Sequence, residues 1–252
     1  MTDGHAVGIG GVKQRTLLSL LLVDSGRLIS KEQLFEEIWY GNPPEHADNA
    51  LHALVARLRK TLDSLLGEGF SNERLATGRP GYGLHLDGID SDARLFTALT
   101  EDARRRLTTE PEQALRLLVE ALALWRGPAL DGVRTGNHLR GVAARLNEQR
   151  LAAHEEKLEL QALLRPCSST VSELQQLAMA HPLHEGLSRR LMIALYRSGR
   201  QAEALGVYSR VRTLLHNELG LDPSPESQQC LQAILRHDVS LVPRPAGALA
   251  TG

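Results

Sequence analysis

The residues best suited to chemistry lie in NALHALVARLRKTL, residues 49–62, where Arg57, Arg59 and Lys60 crowd into one turn among leucines at helical spacing. At about 100° of rotation per residue, Leu51, Leu54, Val55, Leu58 and Leu62 form one narrow apolar stripe. Asn49, Ala53, Ala56 and Lys60 point the opposite way, with Arg57 and Arg59 on either flank. Such a face suits double-stranded DNA. Cationic side chains neutralise phosphates or reach guanine acceptors, an asparagine amide matches an adenine edge, and alanines let the backbone approach the bases. The same run also describes a plain amphipathic helix whose basic side is solvated, so its neighbours must decide.

No other cluster offers a reaction. The chain shows no nucleophile with a base, no paired carboxylates and no oxyanion-type glycine arrangement at informative spacing, which points away from an enzyme. GIGG near the start lacks both the GK[ST] ending and the strand–loop–helix setting of a nucleotide site. His181 and His184 sit three apart across a proline without a third ligand, so neither metal nor cofactor is expected. Trp39 and Trp125 close amphipathic runs and read as core anchors. Cys167 and Cys230 form neither a metal-site spacing nor a disulfide framework, which favours a reducing, cytoplasmic setting.

The elements around residues 49–62 give the basic run a place. VKQRTLLSLLLVDSG reads as a first helix ended by Gly26, and SKEQLFEEIW as a second, with Ser30 and Gln33 at capping-box spacing. A Pro-Pro loop, YGNPPEHAD, leads into the basic helix as the third. RLATGRPGYGLHL then supplies two strand-like pieces around a GRPG turn. Three helices and a hairpin make a winged helix, in which the third helix enters the major groove and the hairpin tip, Arg79, reaches the flanking backbone or minor groove.

Beyond DGIDSDARLF the pattern is almost wholly helical, and the boundary falls near Asp90. LMIALYRSGRQAEALGVYSRVRTLL carries Leu191, Gly199, Ala204 and Tyr208 at the offsets of a tetratricopeptide unit, although Met192 and His216 depart from that pattern. A weaker candidate surrounds Ala114, Leu118 and Ala121. The fold class is therefore mainly α: a winged helix-turn-helix domain at 1–90, an all-α tetratricopeptide-like domain at 91–236, and a flexible tail at 237–252.

Composition agrees. In 252 residues, 42% are hydrophobic, 23% charged and only 4% aromatic, with leucine and alanine abundant, as helix-on-helix packing requires. No eighteen-residue apolar run and no basic-then-apolar leader occur, so neither membrane spanning nor export is expected. The net charge is −1, and residues 1–90 hold nine Lys or Arg against twelve Asp or Glu. A DNA reader must therefore work through local charge, where Arg57, Arg59, Lys60, Arg74 and Arg79 outnumber Asp63, Glu68 and Glu73. The acidic balance leaves a rival: a helical-repeat adaptor whose winged helix binds protein and does not read DNA.

In order along the chain, GGVKQRTLLSLLL, GRLISKEQLFEEIW, ADNALHALVARLRKTL, RPGYGLHL, WRGPALDGV, HPLHEGLSRRLMIALYRSGRQAEAL and ELGLDPSPE resemble a short Streptomyces antibiotic regulatory protein over roughly residues 8–236. The resemblance implies an OmpR-like winged helix joined to a bacterial transcriptional activation domain, activating antibiotic biosynthesis clusters from direct repeats near the −35 element. It implies that Asn49, Ala53, Arg57 and Lys60 face DNA, that residues 75–86 are the wing, and that the loop of Tyr40, Gly41, Asn42, Pro43, Pro44, Glu45 and His46 lies toward RNA polymerase and sigma region 4. Phosphate contacts are expected from Lys13, Arg27 or Arg59, with Arg59 on an edge suited to either a backbone contact or a structural role. Self-association on DNA follows from the direct repeats. Members of the family normally open with several strands packed on the first helix. Here only AVGIGG precedes VKQR, so that sheet is expected to be truncated, or the first helix to be covered differently.

Overall fold

The computed structural model describes residues 9–88, 91–164, 168–238 and 241. The expected boundary at Asp90, Cys167 and most of the expected tail lie outside the described residues. Described residues up to Glu101 pack with Glu120–Ala152 as one compact unit, and Asp102–Val119 pack with the residues from Ala153 onward as a second.

The first unit opens with α1 (Val12–Val23), β1 (Ile29–Ser30) and α2 (Lys31–Trp39). The Ser30 side chain caps α2 by accepting from the Gln33 N–H at 3.1 Å, the hydrogen bond that its spacing foretold. Next come α3 (Ala47–Leu66), α4 (Phe70–Arg74), β2 (Leu75–Thr77) and β3 (Gly81–Leu84). Asp63 near the end of α3 accepts from the Ser71 N–H at 2.7 Å and its hydroxyl at 2.9 Å, which fixes α4. The three strands are antiparallel in the order β1-β3-β2, with Ile29 opposite Tyr82 and Ala76 opposite Gly83.

The apolar stripe of α3 buries Leu51, Leu54, Val55, Leu58 and Leu62 against Leu17, Leu20 and Leu21 of α1, Leu34 and Ile38 of α2, and Leu75, Tyr82 and Leu84 of the sheet. Each such side chain contributes on the order of 1.5 to 3 kcal/mol, an upper figure because unfolded chains already hide some apolar surface. Leu139 is fully buried in this same core, with Leu130 and Val133 packed on it. They come from the segment between α6 (Pro111–Ala123) and α7 (Asn137–Leu164) and from the first turn of α7. Among the described residues no strand precedes α1. This later segment packs over α1, where the buried Thr16 hydroxyl donates to the Arg134 carbonyl at 2.9 Å.

α5 (Asp92–Arg106), α6 and α7 contribute to both units, and α8 (Ser168–Ala180), α9 (Glu185–Arg197), α10 (Gln201–Leu219) and α11 (Pro225–Leu235) complete the second. α9 and α10 form a helical hairpin turning at Gly199, whose φ of +75° favours glycine. Leu191 and Ala204 are buried at its centre, with Tyr208 packed alongside. Met192, a departure from the repeat pattern, is also buried, while His216 is exposed. Leu241, in the expected tail, packs on this core, and its carbonyl accepts from the Arg197 guanidinium.

Candidate nucleic-acid interface

Helix α3 presents the exposed side that its rotation required. Asn49, His52, Ala53, Ala56, Arg57 and Lys60 are all exposed. Arg57 and Lys60 form no ion pair with any described residue. One flank of this face is closed by α1, where the Gln14 amide donates to Thr61 Oγ1 at 2.8 Å. Along that flank Arg57, Lys13, Trp39, Asn42, Pro43, Pro44 and Ala53 line a hollow of about 500 Å³. The Lys13 ammonium lies 5.3 Å from the centroid of the Trp39 ring, and Trp39 packs edge-on to Phe35 at 5.9 Å. Trp39 is thus a helix-end anchor that also carries a cation.

The other flank belongs to the wing. Arg59 is half-buried, and its guanidinium donates to the Leu75 carbonyl at 3.2 Å and to Thr77 Oγ1 at 2.8 Å. These hydrogen bonds tie α3 to β2. His52 stands edge-on to Tyr82 of β3 at 6.3 Å. Burial pushes the Tyr82 phenol above its ordinary value against the opposing pull of Lys31 and Arg59. Arg79 is exposed at the turn between β2 and β3, beside the cis Arg79–Pro80 peptide. Arg27 is exposed just before β1. The strands approach closely because β3 carries glycine on either side of Tyr82, at 81 and 83. A Cβ on Gly81 would stand 2.0 Å from the Ile29 carbonyl oxygen, and one on Gly83 2.5 Å from that of Arg27.

The loop Tyr40–His46 is exposed throughout. It starts with Tyr40 and Gly41 in left-handed conformation and a turn closed by the Asn42 N–H on the Trp39 carbonyl at 3.0 Å. Lys31 at the start of α2 pairs with Asp48 at the start of α3; the hydrogen bond between them raises the lysine and lowers the aspartate from their ordinary values. Rotation alone could have placed His52 on the wing side. Nothing local in the sequence pointed to Arg134, whose guanidinium stacks 4.9 Å from the Tyr40 ring centroid.

Among the described residues no group of three or more His, Cys, Asp or Glu is placed to hold a metal ion, and no helix is long and apolar enough to cross a membrane. His184 instead caps α9, accepting from the Leu187 N–H at 3.2 Å.

Residues 10–82 match the family model described as transcriptional regulatory protein, C terminal, and residues 91–235 match the bacterial transcriptional activator domain. The chain is 36% identical over 237 residues to transcriptional regulator RedD of Streptomyces coelicolor, covering 94% of this chain and 68% of RedD. It is 35% identical over 230 residues to regulatory protein DnrI of Streptomyces peucetius, covering 90% of this chain and 85% of DnrI. The solved structure of Mycobacterium tuberculosis EmbR in complex with a low affinity phosphopeptide superposes with a TM-score of 0.83 at 35% identity, over 96% of this chain and 62% of that one. The chain thus spans only part of its relatives, down to 23% of regulatory protein AfsR of Streptomyces griseus. With both family models matched in this order and relatives this similar across most of its length, the chain belongs to the Streptomyces antibiotic regulatory protein family, whose members are transcriptional regulators and not enzymes.

Proposed function

We propose that this protein is a cytoplasmic, sequence-specific DNA-binding activator of an antibiotic or other secondary-metabolite biosynthesis cluster. It binds direct repeats near the −35 element through residues 1–90 and recruits RNA polymerase, with sigma region 4 meeting the loop Tyr40–His46. Residues 91–236 form the interaction platform. The observation that carries this reading is the outer side of α3: exposed Asn49, Ala53, Arg57 and Lys60, with Arg57 and Lys60 forming no ion pair among the described residues, bordered by a wing with Arg79 at its tip.

In this reading Asn49, Ala53, Arg57 and Lys60 enter the major groove, where Arg57 or Lys60 meets guanine and Asn49 meets adenine. Lys13, beside Arg57 in the same hollow, and Arg27 neutralise phosphates. Arg59 contributes by holding the wing to α3. Two protomers occupy consecutive repeats one helical turn apart, about 34 to 36 Å, and associate head to tail on one face of the duplex.

The test is footprinting on promoters of the protein's own cluster at two salt concentrations. The wild type should give a salt-sensitive specific footprint. Losing one bidentate base contact costs roughly 1 to 3 kcal/mol, so Arg57→Ala should weaken specific binding about five- to a hundredfold. Lys60→Ala separates base reading, which lowers sequence preference, from phosphate neutralisation, which weakens all sequences alike. Unchanged affinity in Arg57→Ala would remove that residue from the reading face, and absence of any specific footprint would favour the protein-binding adaptor.

A further inference from the structure

The loop Tyr40–His46 begins with two left-handed residues, Tyr40 at φ +57° and Gly41 at φ +74°. Glycine adopts this conformation freely, whereas a residue with a side chain does so at a cost and needs support from its surroundings. For Tyr40 that support comes from far along the chain, where the Arg134 guanidinium stacks 4.9 Å from its ring centroid.

Arg134 is itself held from both sides. Its carbonyl accepts from Thr16 of α1 at 2.9 Å. Two residues on, Gly136 backs onto the carboxylate of Glu37, which would lie only 2.7 Å from any Cβ placed there. Glu37 is buried at 2% exposure, and it accepts the N–H groups of His138 at 2.7 Å and Leu139 at 3.3 Å, the opening turn of α7. The last turn of α2 therefore anchors the segment that carries Arg134, and the residue after that turn is Tyr40. These contacts close a ring running from α2 to α7, back through Arg134, and onto the first residue of the loop.

We propose that Arg134 is a positioning residue for the loop Tyr40–His46, holding Tyr40 in its left-handed turn so that the loop keeps the geometry in which it meets its partner. This rests on the reading of that loop as the polymerase-facing surface. Arg134 acts on the loop before any partner arrives, and the segment around it belongs to the stretch matched by the activator-domain family.

The experiment compares the full-length wild type with Arg134→Ala and Arg134→Lys by four measurements: hydrogen exchange of the Asn42 amide, which closes the loop's first turn on the Trp39 carbonyl, in the free protein, melting temperature, affinity for a cluster promoter, and activation in reconstituted transcription. An exposed cation–ring stack corresponds to about a two- to fivefold change in population, so Arg134→Ala should speed exchange in the loop by that factor. Melting temperature and promoter affinity should stay at wild-type levels while activation falls several-fold. Arg134→Lys, which keeps a cation over the ring, should recover part of both exchange protection and activation. Wild-type exchange and activation in Arg134→Ala would overturn the proposal. So would lost activation with unchanged exchange, which marks Arg134 as a direct polymerase contact, and so would a general fall in melting temperature. A wild type that neither binds promoters nor activates refutes the functional reading instead, while the exchange rates still decide whether Arg134 positions the loop.

Discussion

At the scale of single residues, Glu185 shows how opposing influences set a charge. Burial pushes its carboxyl up, but hydrogen bonds from the Ser227 hydroxyl and from the Ser224 N–H and hydroxyl, together with the nearby Arg189, hold it below its ordinary value of 4.5. A carboxyl depressed by folding stabilises the native state above its unfolded value, and that stabilisation disappears as pH falls through the lower folded value. Glu185→Gln should therefore cost about 1 kcal/mol at neutral pH, a figure reduced for solvent screening. The gap to wild type should close as pH drops below 4.5. Urea titrations of both proteins at neutral and acid pH check this, and a gap that persists undiminished in acid would contradict the assignment. Residue-level legibility was uneven for a related reason. A rotation about a helix axis needs only local sequence, so the outward positions of Asn49, Ala53, Arg57 and Lys60 could be read directly. Whether a cation is free or engaged depends on what folds against it, so Arg59's engagement with Leu75 and Thr77 waited on the wing's position.

At the scale of elements, the wing is the instructive case. Its two strands were legible as strand-like pieces around the turn-rich GRPG, a signal that gave the glycines of GRPGYG no part beyond the turn. Gly81 and Gly83 serve the sheet itself, because they leave room for β1 to pair along β3. Strand β1 has just two residues, too few to show any period, and its partners lie some fifty residues away, so nothing in the local pattern announced it. Helix α4 was equally silent, because five residues cannot display a 3.6-residue repeat. Long periodic runs such as α3 were recovered, though the helix extends from Ala47 to Leu66 rather than over residues 49–62 alone. A methyl group on Gly81 meets backbone and not a flexible side chain, so the strands must part. Gly81→Ala should destabilise the first unit by about 2 to 4 kcal/mol. Arg59 and His52 both lean on this hairpin, so the substitution should also weaken DNA binding, read by melting temperature and gel shift together. A variant that melts with the wild type would show that β1 can yield at no cost.

At the scale of the molecule, the chain does not divide where its sequence families do. The family matches end and resume between residues 82 and 91, yet the core built on α1, α2 and α3 also includes Leu139. A fragment of residues 1–90 would keep the exposed face of α3 but lose the cover over α1 and the backbone partners of Glu37. It should bind promoter DNA weakly, fail to activate transcription, and melt earlier and less cooperatively than the full chain by circular dichroism. A fragment that melts like the full chain's first unit would mean that Leu130, Val133 and Leu139 add nothing to it. This dependence was illegible from sequence because hydrophobic periodicity assigns faces to helices but does not say which face meets which across a hundred residues of chain.

The Glu37–Gly136 arrangement also constrains how this chain can be recombined. Glu37 holds α7 through the backbone N–H groups of residues 138 and 139, a grip that any residue except proline could offer, although Leu139 is also fixed by the core and His138 by Asp24; a side chain at 136 would strike the carboxylate. In this chain a crossover near residue 90 would therefore separate the carboxylate at 37 from the bare position at 136 that it backs onto. A recombinant that mismatches the two would keep the exposed face of α3 on a first unit that has lost this anchor.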